Sequence, residues 1–171
     1  MAGKMAMMTA SPKSSFAPVV DARTRLLICG SLPGEASLKA QRYYAHPQNH
    51  FWRLLETVLA EPLAMLDYEE RLDVLRRRGV GLWDVVATAR REGSLDQALR
   101  EVTGTPLAEL AAGLPVLRGV GFNGVTAARI GRRALAHAGL ALVDLPSSSP
   151  AYTLPFAAKA GRWAELKPLL G

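Results

Sequence analysis

The chain has little of what small proteins use to staple or anchor themselves. Cys29 is the single cysteine among 171 residues, so no disulfide forms within the chain. It lies in an apolar run and reads as a small buried hydrophobe rather than a nucleophile. No cysteine pair offers a zinc site, and neither a metal nor a cofactor is expected. No segment approaches the ~20 apolar residues of a membrane span, and the first residues lack the apolar stretch of a secretory signal. A cytoplasmic protein with no membrane partner is expected. Nucleotide-loop signatures are missing too. Gly30-Ser-Leu-Pro-Gly34 has neither the Gly-x-Gly-x-x-Gly pattern nor the lysine of a phosphate loop. Acidic residues run a deficit, 15 against 21 Lys and Arg, giving a net charge of +6. That balance suits a polyanionic partner without requiring one, because Arg76-Arg77-Arg78, Arg90-Arg91 and Arg132-Arg133 also read as solvated helix faces.

What is present is an alternation. Apolar runs at 25–29, 80–86, 115–122 and 140–145 read as strands. Between them, segments 47–60, 68–78, 106–112, 125–138 and 156–166 carry helical signals, with Phe51, Leu54, Leu55, Val58 and Leu59 on one face of the first. Ser94-Leu-Asp96 reads as a turn and N-cap before a short helical stretch at 97–101. Residues 1–15 read as a flexible tail and 16–171 as a single domain. The expected fold is α/β: three layers, α/β/α, around a central four-stranded parallel sheet with right-handed crossovers. Each strand ends in a loop bearing Gly, Pro, Ser, Asn, Asp or aromatic residues. A parallel sheet gathers those loops at its carboxyl edge, which is the predicted site.

The richest of these loops runs from Cys29 to Trp52. Gly30-Ser-Leu-Pro-Gly34, followed by Tyr44-Ala-His-Pro-Gln-Asn-His-Phe-Trp52, resembles the first motif of the uracil-DNA glycosylase superfamily at the same spacing. Leu145-Pro-Ser-Ser-Ser-Pro150 takes the place of its second motif. Two positions depart from the pattern: Leu32 and Leu145 stand where the family carries asparagines. Both differences are similar to the hypoxanthine-DNA glycosylase branch, as are Ser15-Phe-Ala-Pro18, Leu82-Trp-Asp-Val85 and Gly93-Ser-Leu-Asp96. The resemblance implies a monofunctional glycosylase that flips a deaminated base out of DNA and hydrolyses its glycosidic bond, working as a monomer. Uracil in mismatches is an alternative substrate. The two leucines also leave open an inactive DNA-binding module.

Each candidate residue has a chemical reason and a plainer rival. Tyr44 offers a stacking platform, or packs against the following helix. Asn49, near a helix start, would orient water or stabilise the leaving base, or simply cap the helix. Asn123 offers a donor and an acceptor side by side for a base edge, or serves the Asn-Gly turn. Gly30, Ser31, Leu32, Pro33 and Gly34 would line the base site, with His46 donating to the base. Asp84 would contact the base edge or orient His46, or else bind local backbone N–H groups. Ser147, Ser148 and Ser149 suit phosphate contacts, and Pro150 and Tyr152 a wedge filling the gap left by the flipped nucleotide. No lysine is placed for a Schiff base, so water is the expected nucleophile.

Overall fold

The structure, a computed structural model, describes residues 11–171. Its centre is a sheet of four parallel strands, β2 (Leu26–Gly30), β3 (Val80–Asp84), β6 (Gly119–Asn123) and β7 (Ala141–Leu145), in the order β3-β2-β6-β7. Every residue of β2, β3 and β6 is buried, as expected for parallel strands covered on both faces. Alternation along β2 sorts the two cores. Leu26 and Ile28 join α2 (Phe51–Leu59), α3 (Tyr68–Arg77) and α6 (Phe156–Trp163), whereas Leu27 and Cys29 join α4 (Leu107–Ala112) and α5 (Val125–Ala134). The three-layer expectation is met. Gly131 shows how closely the second layer sits: a Cβ there would lie 2.1 Å from the Phe122 ring.

Differences from the expected elements have local causes. The run 80–86 is broken at Val85: β3 ends at Asp84, and β4 (Val86–Arg90) turns away. The amides of Val85 and Val86 donate to the carbonyls of Gly30 and Ser31 at 2.8 and 3.0 Å, which fixes the bend against the first loop. β4 pairs antiparallel with β1 (Pro12–Ser14) and β5 (Arg100–Gly104), forming a three-stranded sheet that the periodicity did not announce. The expected tail therefore ends earlier than residue 15, since 12–14 are held by strand pairing, while residues 1–10 lie outside the described ones. The helical stretch at 97–101 is instead one 3₁₀ turn, Asp96–Ala98, followed by β5, where β-branched Val102 and Thr103 favour extension. α1 (Glu35–Ala40) occupies what read as loop, and the helix expected from residue 47 begins at Phe51.

Candidate active site

The carboxyl ends of β2, β3, β6 and β7 bring Gly30, Asp84, Asn123 and Leu145 to one edge, as the alternation implied. The Gly30–Gly34 loop is clamped from outside. Arg91, 1% exposed, donates from Nη2 to the Pro33 carbonyl at 2.5 Å and from Nε to that of Gly93 at 2.9 Å. Ser31 Oγ donates to Asp96 Oδ1 at 2.5 Å, and the Glu35 amide to Ser94 Oγ at 2.9 Å. Leu32 is buried with Cys29 and Trp83 in the core beneath the loop. Its side chain thus anchors the loop to that core and offers no amide.

Tyr44 and Asp84 meet above Gly30. A Cβ on Gly30 would lie 2.9 Å from Asp84 Oδ1 and 3.1 Å from the Tyr44 hydroxyl, so only glycine admits both. Tyr44 stacks one ring face on Phe51, with centroids 3.7 Å apart and planes at 12°, and holds a left-handed φ of 53°. Its carbonyl accepts from Trp52 Nε1 at 3.1 Å, which secures that conformation. The hydroxyl is buried and without a partner; the Asn123 amide lies near it but outside hydrogen-bonding geometry. Burial, reinforced by the Asp84 charge, pushes the phenol pKa up. Asp84 is 3% exposed and its Oδ2 has no partner. Burial, with Asp96 adding like-charge repulsion and Arg91 opposing it, raises its pKa to about 7. Tyr43, by contrast, is structural: its hydroxyl donates to the Ala17 carbonyl at 2.9 Å and its amide to Tyr68 Oη at 3.0 Å.

The segment before α2 forms the outer wall. Asn49 Oδ1 accepts from the Phe51 amide at 2.9 Å, the capping role its position allowed. His46 is exposed, its Nδ1 accepting from the Gln48 amide at 3.1 Å, and does not join Tyr44 and Asp84 over Gly30. His50, which the sequence reading passed over, has a buried Nδ1 without a partner. Burial, then Lys159 and Arg53, lower its pKa, which favours the neutral imidazole. His46 and His50 are four residues apart, a zinc-ligand spacing on a helix, but α2 starts only at Phe51. Among the described residues no group of three or more His, Cys, Asp or Glu is placed to hold a metal.

Asn123 and Ser148 lock the opposite wall. Asn123 Nδ2 donates to Ser148 Oγ at 2.8 Å, while the Ser148 amide donates to Asn123 Oδ1 at 2.9 Å. The Ser148 carbonyl in turn accepts from the His50 amide at 3.0 Å, joining the two motifs. Ser148 is 1% exposed, so it braces the loop rather than facing outward. Ser147 and Ser149 make local turns, accepting from the amides of Ser149 and Ala151, both at 3.1 Å. Beneath the loop Lys159, fully buried, donates to the Ser149 carbonyl at 3.3 Å, and Trp163 Nε1 to that of Pro146 at 2.9 Å. Lys159 left no sequence signal: like Arg162 in the same helix, it reads as a solvated cation. A groove of about 630 Å³ runs between Asn49, His50 and Arg53 on one side and Pro150, Tyr152 and Phe156 on the other. Gly30, Tyr44, Asp84 and Asn123 lie outside its lining.

Residues 17–168 match the sequence profile of the Uracil DNA glycosylase superfamily. The chain belongs to that superfamily. Among its relatives is a protein of Methanosarcina barkeri named hypoxanthine DNA glycosylase, 42% identical over 112 residues, which are 66% of this chain and 71% of that one. A Methanosarcina acetivorans protein of the same name is 39% identical over the same shares. The fold superposes with a TM-score of 0.84 on the solution NMR structure of a candidate uracil DNA glycosylase from Methanosarcina acetivorans. That chain is 34% identical, and the match covers 93% of this chain and 99% of that one. Among the described residues no helix is long and apolar enough to cross a membrane.

Proposed function

We propose that this chain is a DNA glycosylase that removes hypoxanthine from deoxyinosine by flipping the nucleotide and hydrolysing its N-glycosidic bond. The observation that supports it most is the cluster above Gly30. There the hydroxyl of half-buried Tyr44 and Oδ2 of buried Asp84 are oxygen atoms shut off from solvent and lacking any partner. Buried polar atoms without partners are rare and point to a group supplied from outside. The flipped base would sit over the Gly30–Gly34 loop, bordered by Ser31, Leu32, Pro33 and the Tyr44 ring, with Asp84 touching its edge. Asn49 would leave its cap to orient the attacking water, since Leu32 and Leu145 supply no amide. Asn123, tied to Ser148, would hold the far edge of the base. Ser147 and Ser149 would meet the flanking phosphates, Ser148 holding their loop in place, and Pro150 and Tyr152 would fill the vacated stack. His46, on the exposed rim, would meet the base only after the loop closes over it. We expect the enzyme to work as a cytoplasmic monomer without a cofactor.

The test uses duplexes carrying one deoxyinosine or one deoxyuridine, incubated with the chain and then cleaved at abasic sites by alkali. Breaks at deoxyinosine support the proposal. Breaks confined to deoxyuridine would move the substrate to uracil. No breaks, with salt-sensitive DNA binding retained, would leave a binding module. Asn49→Ala should lower single-turnover excision by about 10²-fold or more, as expected for a lost positioning group, with DNA affinity little changed. Activity equal to wild type would remove Asn49 from the chemistry.

A further inference from the structure

The fold uses the main chain of Asp84 but not its carboxyl group. Asp84 pairs with Gly30 across the sheet, and its carbonyl accepts from Thr105 Oγ1 at 2.9 Å. The side chain ends in a buried oxygen that nothing satisfies. The groups that face it come from three directions. Cys29 lies on β2, Tyr43 and Tyr44 on the aromatic loop, and Arg91 and Asp96 on the stretch after β4. Arg91 is the one cation among them; its Nε and Nη2 are committed to the carbonyls of Gly93 and Pro33, and its buried Nη1 makes no hydrogen bond to the Asp84 carboxyl. Asp96 adds a like charge. Such surroundings favour the acid over the carboxylate, so a proton is held where the base would lie.

Hypoxanthine presents N7 and O6 as adjacent acceptors on one edge, the edge guanine shows in the major groove. Over Gly30 the protein sets two oxygen groups side by side, the Tyr44 phenol and the Asp84 carboxyl, and both donate while the carboxyl holds its proton. Two donors beside two acceptors is a complementary pair. Adenine, with an amino group in place of O6, fits it less well. We propose that Asp84 is the proton donor to the departing purine, delivering its proton to N7 as the glycosidic bond breaks. This rests on the hypoxanthine reading above. The N9–C1′ bond breaks with its electron pair going to the base. The Asp84 O–H bond breaks and the proton goes to N7, so the base leaves as neutral hypoxanthine. Water adds its oxygen to C1′, and the proton it sheds restores the Asp84 acid. Uracil has no imidazole nitrogen, so this step belongs to purines alone.

Single-turnover excision from deoxyinosine and from 7-deaza-deoxyinosine duplexes tests the step, with wild type and Asp84→Asn compared from about pH 5.5 to about pH 9. The wild-type rate should fall roughly tenfold per pH unit above neutrality as the acid ionises. Asp84→Asn should be roughly 10²- to 10⁴-fold slower near neutrality, with a flat profile and DNA affinity retained. The 7-deaza substrate, with carbon at the accepting position, should impose a comparable loss on wild type and no further loss on the variant. A flat wild-type profile would overturn the proposal. So would full activity of Asp84→Asn, or 7-deaza-deoxyinosine excised at the deoxyinosine rate. The profile and the 7-deaza substrate need no variant, so they decide the matter even if Asp84→Asn fails to fold. Absence of hypoxanthine release at every pH is a separate outcome that overturns the substrate reading itself.

Discussion

At the end of β3, Asp84 and the neighbouring Tyr44 hydroxyl are buried with oxygen atoms left unpartnered. Two strands away, at the end of β6, Asn123 is equally buried, yet its amide oxygen and nitrogen are both occupied by Ser148. The two walls are built from similar material, a polar side chain on a buried strand end, and differ in whether the protein itself satisfies it. The Asn123 wall is architecture that joins the two motif loops through Ser148 and His50. The Asp84 wall accepts an unsatisfied polar cluster, which costs stability and is repaid only when a partner arrives.

The largest effect that would break this comparison is on the pH dependence of stability at Asp84. Its pKa in the folded chain, raised to about 7, exceeds the ~3.9 of an unfolded aspartate. The native state therefore binds the proton more tightly. The penalty for ionising Asp84 is absent below the unfolded value, grows between the two and is complete above the folded one. Asp84→Asn should accordingly gain stability over wild type as pH rises through that window, by up to about 1.4 kcal/mol per unit. Urea unfolding at each end of the window measures it. An unchanged difference at the two pH values would mean that Asp84 is satisfied in solution.

At the other wall the sign reverses. Asn123→Ala strips the Ser148 amide and hydroxyl of their partners and should cost about 1–3 kcal/mol at every pH. Ser148→Ala removes one of the same two bonds, so the double variant should be less destabilised than the sum of the singles, with a coupling of about 0.5–3 kcal/mol. Additive losses would show that the two residues do not act as a unit. The smallest effect sharpens the contrast from outside the site. Arg132 and Asp144 form an exposed ion pair at 2.7 Å, and Arg132→Ala should change stability by about 1 kcal/mol or less, an effect weakened further by salt.

The parallel sheet was legible because Leu26–Cys29 is a short apolar run and Leu140–Val143 another, each leading into a punctuated loop. The antiparallel sheet was not. Its strands Pro12–Ser14, Val86–Arg90 and Arg100–Gly104 are short, largely polar or interrupted, and only pairing makes them strands. Asn49 and Asn123 were visible as amides at loop positions, but their partners were not: Phe51 for the first, Ser148 for the second. Those pairings span two residues in one case and twenty-five in the other, and the second is set by tertiary packing. Arg91 read as half of a basic surface cluster, yet it is buried behind the Gly30–Gly34 loop, because two carbonyls there need a donor. Asp84 was visible as a strand-end carboxyl; that nothing satisfies its Oδ2 emerges only once the elements around it are in place.

A glycosylase is defined by the base that leaves the DNA. Mass-spectrometric detection of the free base from a duplex holding one deoxyinosine, under single turnover and before any alkali, measures it directly. One equivalent of free hypoxanthine and an unbroken, alkali-labile strand are expected. Intact deoxyinosine, or a strand cut without base release, would contradict the proposed function.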